Sequence, residues 1–242
     1  MPTPVNLTSQ PLVDGGLGRR LLRLFGSRCL VCRERAAAEQ DLCHACMAAL
    51  PWSGAACARC AIPLPAGDGP CGACLRRAPP LGAAHAAFVY GFPVDRLLPR
   101  FKFHHDLAAG ALLARSMASA FAALPRPDVL VPVPLHSARL RRRGYDQALE
   151  LARPLARRLG LPVRDDLLRR TRATSAQSEL AAAARRRNVR GAFETGGDAP
   201  TPAHVVLVDD VMTTGATLHA AAIALRRAGA VRVDAWVCAR TP

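Results

Sequence analysis

Eight of the nine cysteines fall in four Cys-x-x-Cys pairs, and this array limits what residues 27–80 can fold into more than any other feature of the chain. The pairs are Cys29/Cys32, Cys43/Cys46, Cys57/Cys60 and Cys71/Cys74, with ten residues between each pair and the next. The segment is rich in small residues and holds too few large apolar side chains to build a core unaided, so it needs a staple. A Cys-x-x-Cys knuckle sets two thiolates on one side of a tight turn, and two knuckles complete a tetrahedral site of the kind Zn²⁺ prefers. Eight cysteines therefore imply two Zn²⁺ ions. Four sulfurs leave no open coordination position, so both ions are expected to be structural. The even spacing allows consecutive pairing of knuckles or an interleaved cross-brace; consecutive pairing closes shorter loops and is favoured. His44 lies inside a knuckle whose own cysteines suffice. Cys238 stands alone in an apolar stretch and reads as a small core residue.

The length of 242 residues, half of them apolar, suits one substantial α/β domain with a small appendage. The expected organisation is a leader over residues 1–26, a cysteine-rich domain over 27–80 closed by the Pro79-Pro80 linker, and an α/β domain over 84–242. The first twenty residues lack a charged start followed by an apolar stretch, so no signal peptide is expected. No apolar run approaches the roughly 20 residues that span a bilayer. The expectation is a cytoplasmic protein without membrane insertion.

From residue 84 the pattern predicts strands over Ala86–Tyr90, Asp128–Val133, Val205–Val208 and Val231–Val237. Helices are predicted over Leu97–Phe103, Leu107–Leu124, Asp146–Leu159, Glu179–Asn188 and Thr217–Ala228. Asp146 is a candidate cap, Gly160 a stop signal, and Pro154 predicts a kink or a break. Strands alternating with helices imply a mainly parallel sheet with helices on both faces.

The formal net charge is +15, and Lys102 is the only lysine. Between His136 and Arg190 stand fifteen arginines against five acids, so most of the surplus lies mid-chain. Inflated Ala and Arg together suggest compositional drift; an anionic partner, nucleic acid or a phosphorylated metabolite, accounts for the charge equally well. Aromatic content is 5%, which gives little support for stacking on bases.

The segment most specific about chemistry is His204-Val-Val-Leu-Val-Asp-Asp-Val-Met-Thr-Thr-Gly-Ala-Thr217. A buried strand runs into two acids, then a short Thr/Gly/Ala loop, then a helix. In an open parallel sheet ligands bind at the carboxyl ends of strands, and a helix N-terminus offers unpaired N–H groups to a phosphate. Thr213, Thr214 and Thr217 add hydroxyls, and Gly215 lets the backbone approach closely. Asp209 and Asp210 would repel a phosphate, so they suit a ribose diol or water on a bound Mg²⁺. A second basic stretch follows the strand at Pro132: Arg139, Arg141, Arg142 and Arg143, turning at Gly144, could clamp a pyrophosphate through planar guanidinium forks.

Residues 204–217 resemble the phosphoribosyl pyrophosphate signature of type I phosphoribosyltransferases. Two further stretches resemble the ComF family within that superfamily. One is Val131-Pro-Val-Pro-Leu-His136 with Arg139, Arg143-Gly-Tyr-Asp-Gln-Ala148 and Leu151-Ala152. The other is Arg170-Thr-Arg172 with Gln177, Leu180, Arg187-Asn188-Val189 and Phe193. The four-knuckle region matches that family too, so the likeness spans residues 27–240. It departs at Tyr145-Asp146, where the family has Phe-Asn, which makes the local field more acidic.

The resemblance implies a type I phosphoribosyltransferase-like α/β fold behind a double zinc ribbon. It places Asp209, Asp210, Val211, Thr213, Thr214, Gly215, Ala216 and Thr217 around phosphoribosyl pyrophosphate with Mg²⁺. Asp209 and Asp210 would be catalytic and hold the ribose; Arg139, Arg143 and Gly144 would form the pyrophosphate loop; Arg172 to Gln177 would be the mobile loop; Lys102 would also reach the ligand. Purine-type members carry an acid where this chain has Thr213, which argues against purine salvage. The family's link to natural transformation implies single-stranded DNA and a competence helicase as partners. Two expectations remain: a phosphoribosyltransferase acting in DNA uptake or repair, or a non-catalytic DNA-binding and helicase-partner module that keeps the pocket as a sensor.

Overall fold

The computed structural model describes residues 27–36, 41–67, 69–172, 191–196 and 200–242. The expected leader, the helix over Glu179–Asn188 and Gln177 lie outside the described residues. The chain divides into two compact units between Ala48 and Ala49. This differs from a boundary at 80–84, and the reason is local. Residues 51–53 line the edge of the first strand of the sheet, with Ser53 N–H donating to the Ala87 carbonyl at 2.9 Å and Val89 N–H to that of Pro51 at 2.8 Å. Ala84 N–H donates to the Ala58 carbonyl at 3.0 Å. The second half of the cysteine region thus belongs with the sheet.

In the first unit the knuckle after Cys29 turns through Arg33 (φ 67°), and a one-turn helix, α1 (His44–Ala48), carries the second knuckle. The second unit begins with the matching turn at Ala61 (φ 55°) and the short helix α2 (Gly72–Arg76). Then follow β1 (Ala84–Val89), α3 (Val94–Phe103), α4 (Leu107–Phe121), β2 (Val129–Pro132), α5 (Ser137–Arg143) and α6 (Gln147–Leu159). The chain continues through β3 (Leu168–Arg170), β4 (Phe193–Thr195), β5 (His204–Met212), α7 (Ala216–Arg227) and β6 (Arg232–Arg240). The main sheet has the order β1-β6-β5-β2, every pair parallel. The antiparallel pair β3–β4 was not foreseen from the sequence; it packs its Leu168 and Phe193 into the core on the α7 side.

Successive strand residues point to opposite faces. On one side Val205, Leu207, Val233, Ala235 and Val237 meet Leu218, Ala221, Ala222 and Leu225 of α7. On the other, α4 packs on β1 and β6, and α6 packs on β2 and β5. There Trp236 stacks on Phe121 with ring centroids 5.1 Å apart. Each large side chain buried this way contributes about 1.5–3 kcal/mol.

Three local expectations change. Helix α6 runs unbroken through Pro154, because its buried stripe of Leu151, Ala152, Leu155 and Ala156 is held against the sheet. Strand β5 does not stop at Val208; it continues through both acids to Met212 because β6 extends beside it to Arg240. Residues 137–143 are a helix rather than an open loop, begun by His136 and ended by Gly144 at φ 80°. Asp146 and Gly160 cap α6 at its two ends, as expected.

Gly110 supplies a test of this packing. In an exposed helix Gly→Ala adds about 1 kcal/mol of stability. Here a Cβ would meet the buried Phe101 ring at 2.5 Å. Gly110→Ala is therefore expected to lower Tm by a few degrees, read by circular dichroism; a rise would show that α3 and α4 are less tightly apposed.

Candidate functional site

The sulfurs of Cys29, Cys32, Cys43 and Cys46 lie within 4.8 Å of one another, and so do those of Cys57, Cys60, Cys71 and Cys74. Consecutive pairing is therefore the arrangement found. His44 and the buried Cys238 stand apart from both clusters. Backbone N–H groups face the sulfurs, with Cys71 N–H donating to Cys57 Sγ at 3.1 Å and Val31 N–H to Cys29 Sγ at 3.4 Å. Burial opposes ionisation of Cys29 and Cys57, yet these donors outweigh it and draw both thiols down to about 6. Burial and the adjacent sulfurs push Cys46 and Cys74 far the other way. Four sulfurs this close cannot all carry charge without a cation among them, and four convergent thiolates are the donor set of structural Zn²⁺. The two Cys₄ clusters are thus zinc-binding sites.

The second centre lies where the parallel strands end. Pairing of Pro132 with Val208 sets the exit of β2 beside the acids of β5. Asp210 meets Lys102 Nζ of α3 at 2.9 Å. Burial works against the charge on Lys102, but Asp210 and then Asp209 more than restore it, so its ammonium is held above the usual range. Burial, and next the charge of Asp210, push the Asp209 carboxyl up to about 8, although its Oδ1 accepts the Asp210 N–H at 2.8 Å. Gly215 adopts φ 72°, and a Cβ there would come within 2.6 Å of Met212 Cε and 3.0 Å of His219 Nε2. The positive φ would strain any other residue in this turn, and the twelve-residue helix α7 starts directly after it. Thr213 is exposed, Thr214 and Thr217 are half-buried, and Thr214 Oγ1 accepts the Ala216 N–H at 3.4 Å.

The helical form of residues 137–143 sorts the arginines. Arg139 and Arg143 are one turn apart on one face and half-buried; Arg141 and Arg142 are exposed. Burial, then Arg143 and Arg142, lower the Arg139 guanidinium. Arg143 donates to Gln147 Oε1 at 2.6 Å and lies over the Phe103 ring at 5.1 Å. Asp146 reaches further than a cap: it accepts N–H groups of Ala148 (2.9 Å), Leu149 (3.2 Å) and Leu135 (2.9 Å), tying the turn after β2 to α6. Burial raises its carboxyl.

Arg170 carries no role in the sequence reading beyond its place in a motif. Burial lowers its guanidinium; after burial come the repulsion of Arg139 and the attraction of Asp209 and Asp146. Arg170 thus shares the electrostatic surroundings of Arg139, Asp209 and Asp146, a neighbourhood the residue types alone do not announce. Arg172 is described and exposed. A cavity of about 1340 Å³ also opens in this unit, between the second Cys₄ cluster and α7, but Asp209, Asp210, Lys102 and Arg139 do not line it. The acid pair and its cations therefore lie outside that cavity, although Thr214 of the loop lines it.

Two family models match, a double zinc ribbon domain over residues 21–75 and a phosphoribosyl transferase domain over residues 145–242. Competence protein F of Haemophilus influenzae is 33% identical over 230 residues, covering 91% of this chain and 100% of its own. The chain belongs to the ComF family. DNA utilization protein YhgH of Salmonella typhi is 36% identical over 221 residues, 88% of this chain and 96% of its own. Competence protein ComFC of Bacillus subtilis is 31% identical over 147 residues, 60% of this chain and 58% of its own. Among solved structures, glutamine phosphoribosylpyrophosphate amidotransferase from B. subtilis is 23% identical with a TM-score of 0.38 over 54% of this chain and 26% of that one. By its two family models, this ComF-family chain combines an N-terminal zinc ribbon region with a phosphoribosyltransferase-type domain built on the parallel sheet. Among the described residues no helix is long and apolar enough to cross a membrane.

The acid pair has a measurable consequence for stability. A folded-state value of about 8 lies above the ordinary unfolded aspartate. Between the carboxylate range and about pH 8 the unfolded chain has therefore released a proton that the native state still holds, and stability falls as pH rises through that window. Asp209→Asn removes this cost. Its Tm should exceed that of the parent by several degrees near pH 8, and the gap should shrink toward pH 5, at about 2–4 °C per kcal/mol for a chain of this size. A gap independent of pH would rule out the raised carboxyl.

Proposed function

We propose that the chain binds phosphoribosyl pyrophosphate with Mg²⁺ and acts as a phosphoribosyltransferase in DNA uptake or DNA repair, in the cytoplasm. The observation that carries the reading is the junction of β5 and α7. Two acids lie near the carboxyl end of a central parallel strand, Gly215 makes a turn at positive φ that strains any other residue, and a long helix begins at once. In this reading the N–H groups of Thr213 to Thr217 and the threonine hydroxyls take the 5-phosphate, with Val211 and Ala216 shaping the loop around it. Asp209 and Asp210 take the ribose hydroxyls. Arg139, Arg143 and Arg170 face the pyrophosphate, Gly144 lets its loop turn, and Arg172 and Gln177 belong to the loop that covers the site.

The donor set fits a divalent cation. Two adjacent carboxylates share the field of one ammonium, Lys102, which pairs with Asp210, and the raised Asp209 carboxyl marks a site short of positive charge. Mg²⁺ bound there would neutralise the leaving pyrophosphate. The remaining work is positioning. A nitrogen nucleophile displaces pyrophosphate from the anomeric carbon, forming an N-glycosidic bond while the C–O bond to pyrophosphate breaks. Thr213 has no carboxylate to accept the nucleophile's proton, which argues against purine salvage and for an acceptor that needs no base at that position.

The names of the relatives, DNA utilization protein and competence protein, favour a second reading. In it the same pocket senses a ribose phosphate inside a non-catalytic module that binds single-stranded DNA and a helicase. The arginines between His136 and Arg190 support that reading.

Titration calorimetry with phosphoribosyl pyrophosphate and Mg²⁺ separates the two. Asp209→Asn combined with Asp210→Asn should weaken binding about 100-fold or more, since each lost charge-assisted hydrogen bond is worth about 1.5–3 kcal/mol. Pyrophosphate release with candidate bases marks the enzyme. Salt-sensitive single-stranded DNA binding that the double variant leaves intact, with no pyrophosphate release, marks the module.

A further inference from the structure

Arg240, the last residue of β6, is buried at 7% exposure, and its guanidinium spans two parts of the second unit. Nε donates to the carbonyl of Cys60 at 2.9 Å, on the knuckle of the second Cys₄ cluster. Nη1 donates to the carbonyl of Met212 at 3.2 Å and to the carbonyl and hydroxyl of Thr241. Thr241 N–H donates to the same Met212 carbonyl at 3.1 Å. Met212 is the residue before Thr213-Thr214-Gly215, and its Cε sits where a Cβ on Gly215 would fall. The carbonyl that fixes the start of the phosphate loop is thus held from the same side chain that holds the zinc knuckle.

The surroundings make this link matter. The cavity of about 1340 Å³ has Cys60, Cys71 and Cys74 on one wall and Thr214 and Ala216 on another, with Arg240 at its border. Cys60 and Ala61 pack on the same core as Met212, and a planar guanidinium with fixed donor directions adds a direct tie between the two carbonyls. A buried guanidinium also costs free energy unless its donors are met, so the loss of either carbonyl disfavours the whole arrangement. The Cys60 carbonyl belongs to the turn from Cys57 to Ala61, which Ala61 N–H closes on the Cys57 carbonyl at 2.8 Å, and a Cys₄ knuckle without its metal loses the ion that ties Cys57 and Cys60 to Cys71 and Cys74.

We propose that Arg240 is a positioning residue that makes the order of the phosphate loop depend on the metal state of the second Cys₄ cluster. The proposal rests on the ribose-phosphate reading of that loop for its functional meaning, but its structural content does not. The first Cys₄ cluster belongs to the other compact unit and serves as the control. Linkage is reciprocal: whatever orders the loop also retains the metal of the second cluster.

The test uses the full zinc-loaded chain, with hydrogen exchange of peptides covering residues 212–218, zinc content, and calorimetry with phosphoribosyl pyrophosphate. Arg240→Met should speed exchange over 212–218 and weaken ligand binding, each about tenfold, the effect of losing one charge-assisted hydrogen bond. Exchange over β2 should stay unchanged, which a general loss of fold would not allow. Arg240→Lys, which can reach one carbonyl at a time, should give an intermediate value. Cys71→Ser should mimic Arg240→Met, whereas Cys43→Ser should leave the loop at the parental rate. Where a variant disturbs β2, Arg240→Lys decides. Parental exchange over 212–218 in Arg240→Lys and Cys71→Ser, or an equal effect from Cys43→Ser, overturns the proposal. A parent chain that takes up no phosphoribosyl pyrophosphate sinks the ribose-phosphate reading, while the exchange data still decide the coupling.

Discussion

Strand β5 lies between β6 and β2 and runs parallel to both, and the site depends on that pairing. Parallel strands deliver their carboxyl ends to one edge of a sheet, so the ends of β2, β5 and β6 emerge together. Pro132 pairs with Val208 and Arg240 with Met212, which fixes how far each turn projects. One residue of slip in β5 would turn Asp210 to the other face and separate it from Lys102. Val205 to Val208 are fully buried between two helical layers, so the register is set by packing on both faces rather than by alternation of polar and apolar residues. The chemistry at the end of the strand inherits a geometry decided by the apolar residues before it.

The same edge concentrates charge that folding alone would not favour. Two adjacent acids enter a largely buried place, and the cation that meets them is the sole lysine in a chain with 33 basic residues. Arginine presents a broad planar fork, whereas lysine carries a compact ammonium on a thin stem. Helix α3 buries Phe101 and exposes Phe103, and between them Lys102 reaches Asp210 at 2.9 Å. A composition so strongly biased toward arginine makes lysine at this position a statement about fit. Asp146 adds a third acid whose N–H donors are all backbone, so the family's asparagine position can hold aspartate without gaining a salt bridge.

Much of this was legible in the sequence because it is local. Cysteine spacing announces the four knuckles though not which of them pair, the caps at Asp146 and Gly160 are read from residue type, and Gly215 announces a turn by its place between two threonines and a helix. What stayed hidden depends on partners far along the chain. The length of β5 is set by β6, so the acids could not be placed inside a strand before that neighbour was known. Arg170 joins Arg139 only through the pairing of β3 with β4. Pro154 looked like a break because propensity sees one residue, while the amphipathic stripe that overrides it belongs to the whole helix. Arg240 sits at the end of an apolar strand with no motif around it, and its partners lie 180 and 28 residues away.

Identical ligand sets do not make identical sites. In the first unit the buried apolar residues among those described are Leu42 and the cysteines Cys29 and Cys46, so the metal cluster is itself the core. The second cluster has help: Ala61 is part of the main hydrophobic cluster, Trp52 stacks on Phe88 with centroids 4.6 Å apart, and residues 51–53 cover the edge of β1. Removing metal from the first site leaves almost nothing to oppose the chain entropy of its residues. Removing it from the second leaves a knuckle still anchored at both ends but free to shift between its anchors. A small movement there reaches the loop through Arg240, whose guanidinium holds the carbonyls of both Cys60 and Met212. The repeat in sequence therefore encodes two different mechanical roles, and the difference comes from which core each copy of the motif is able to share.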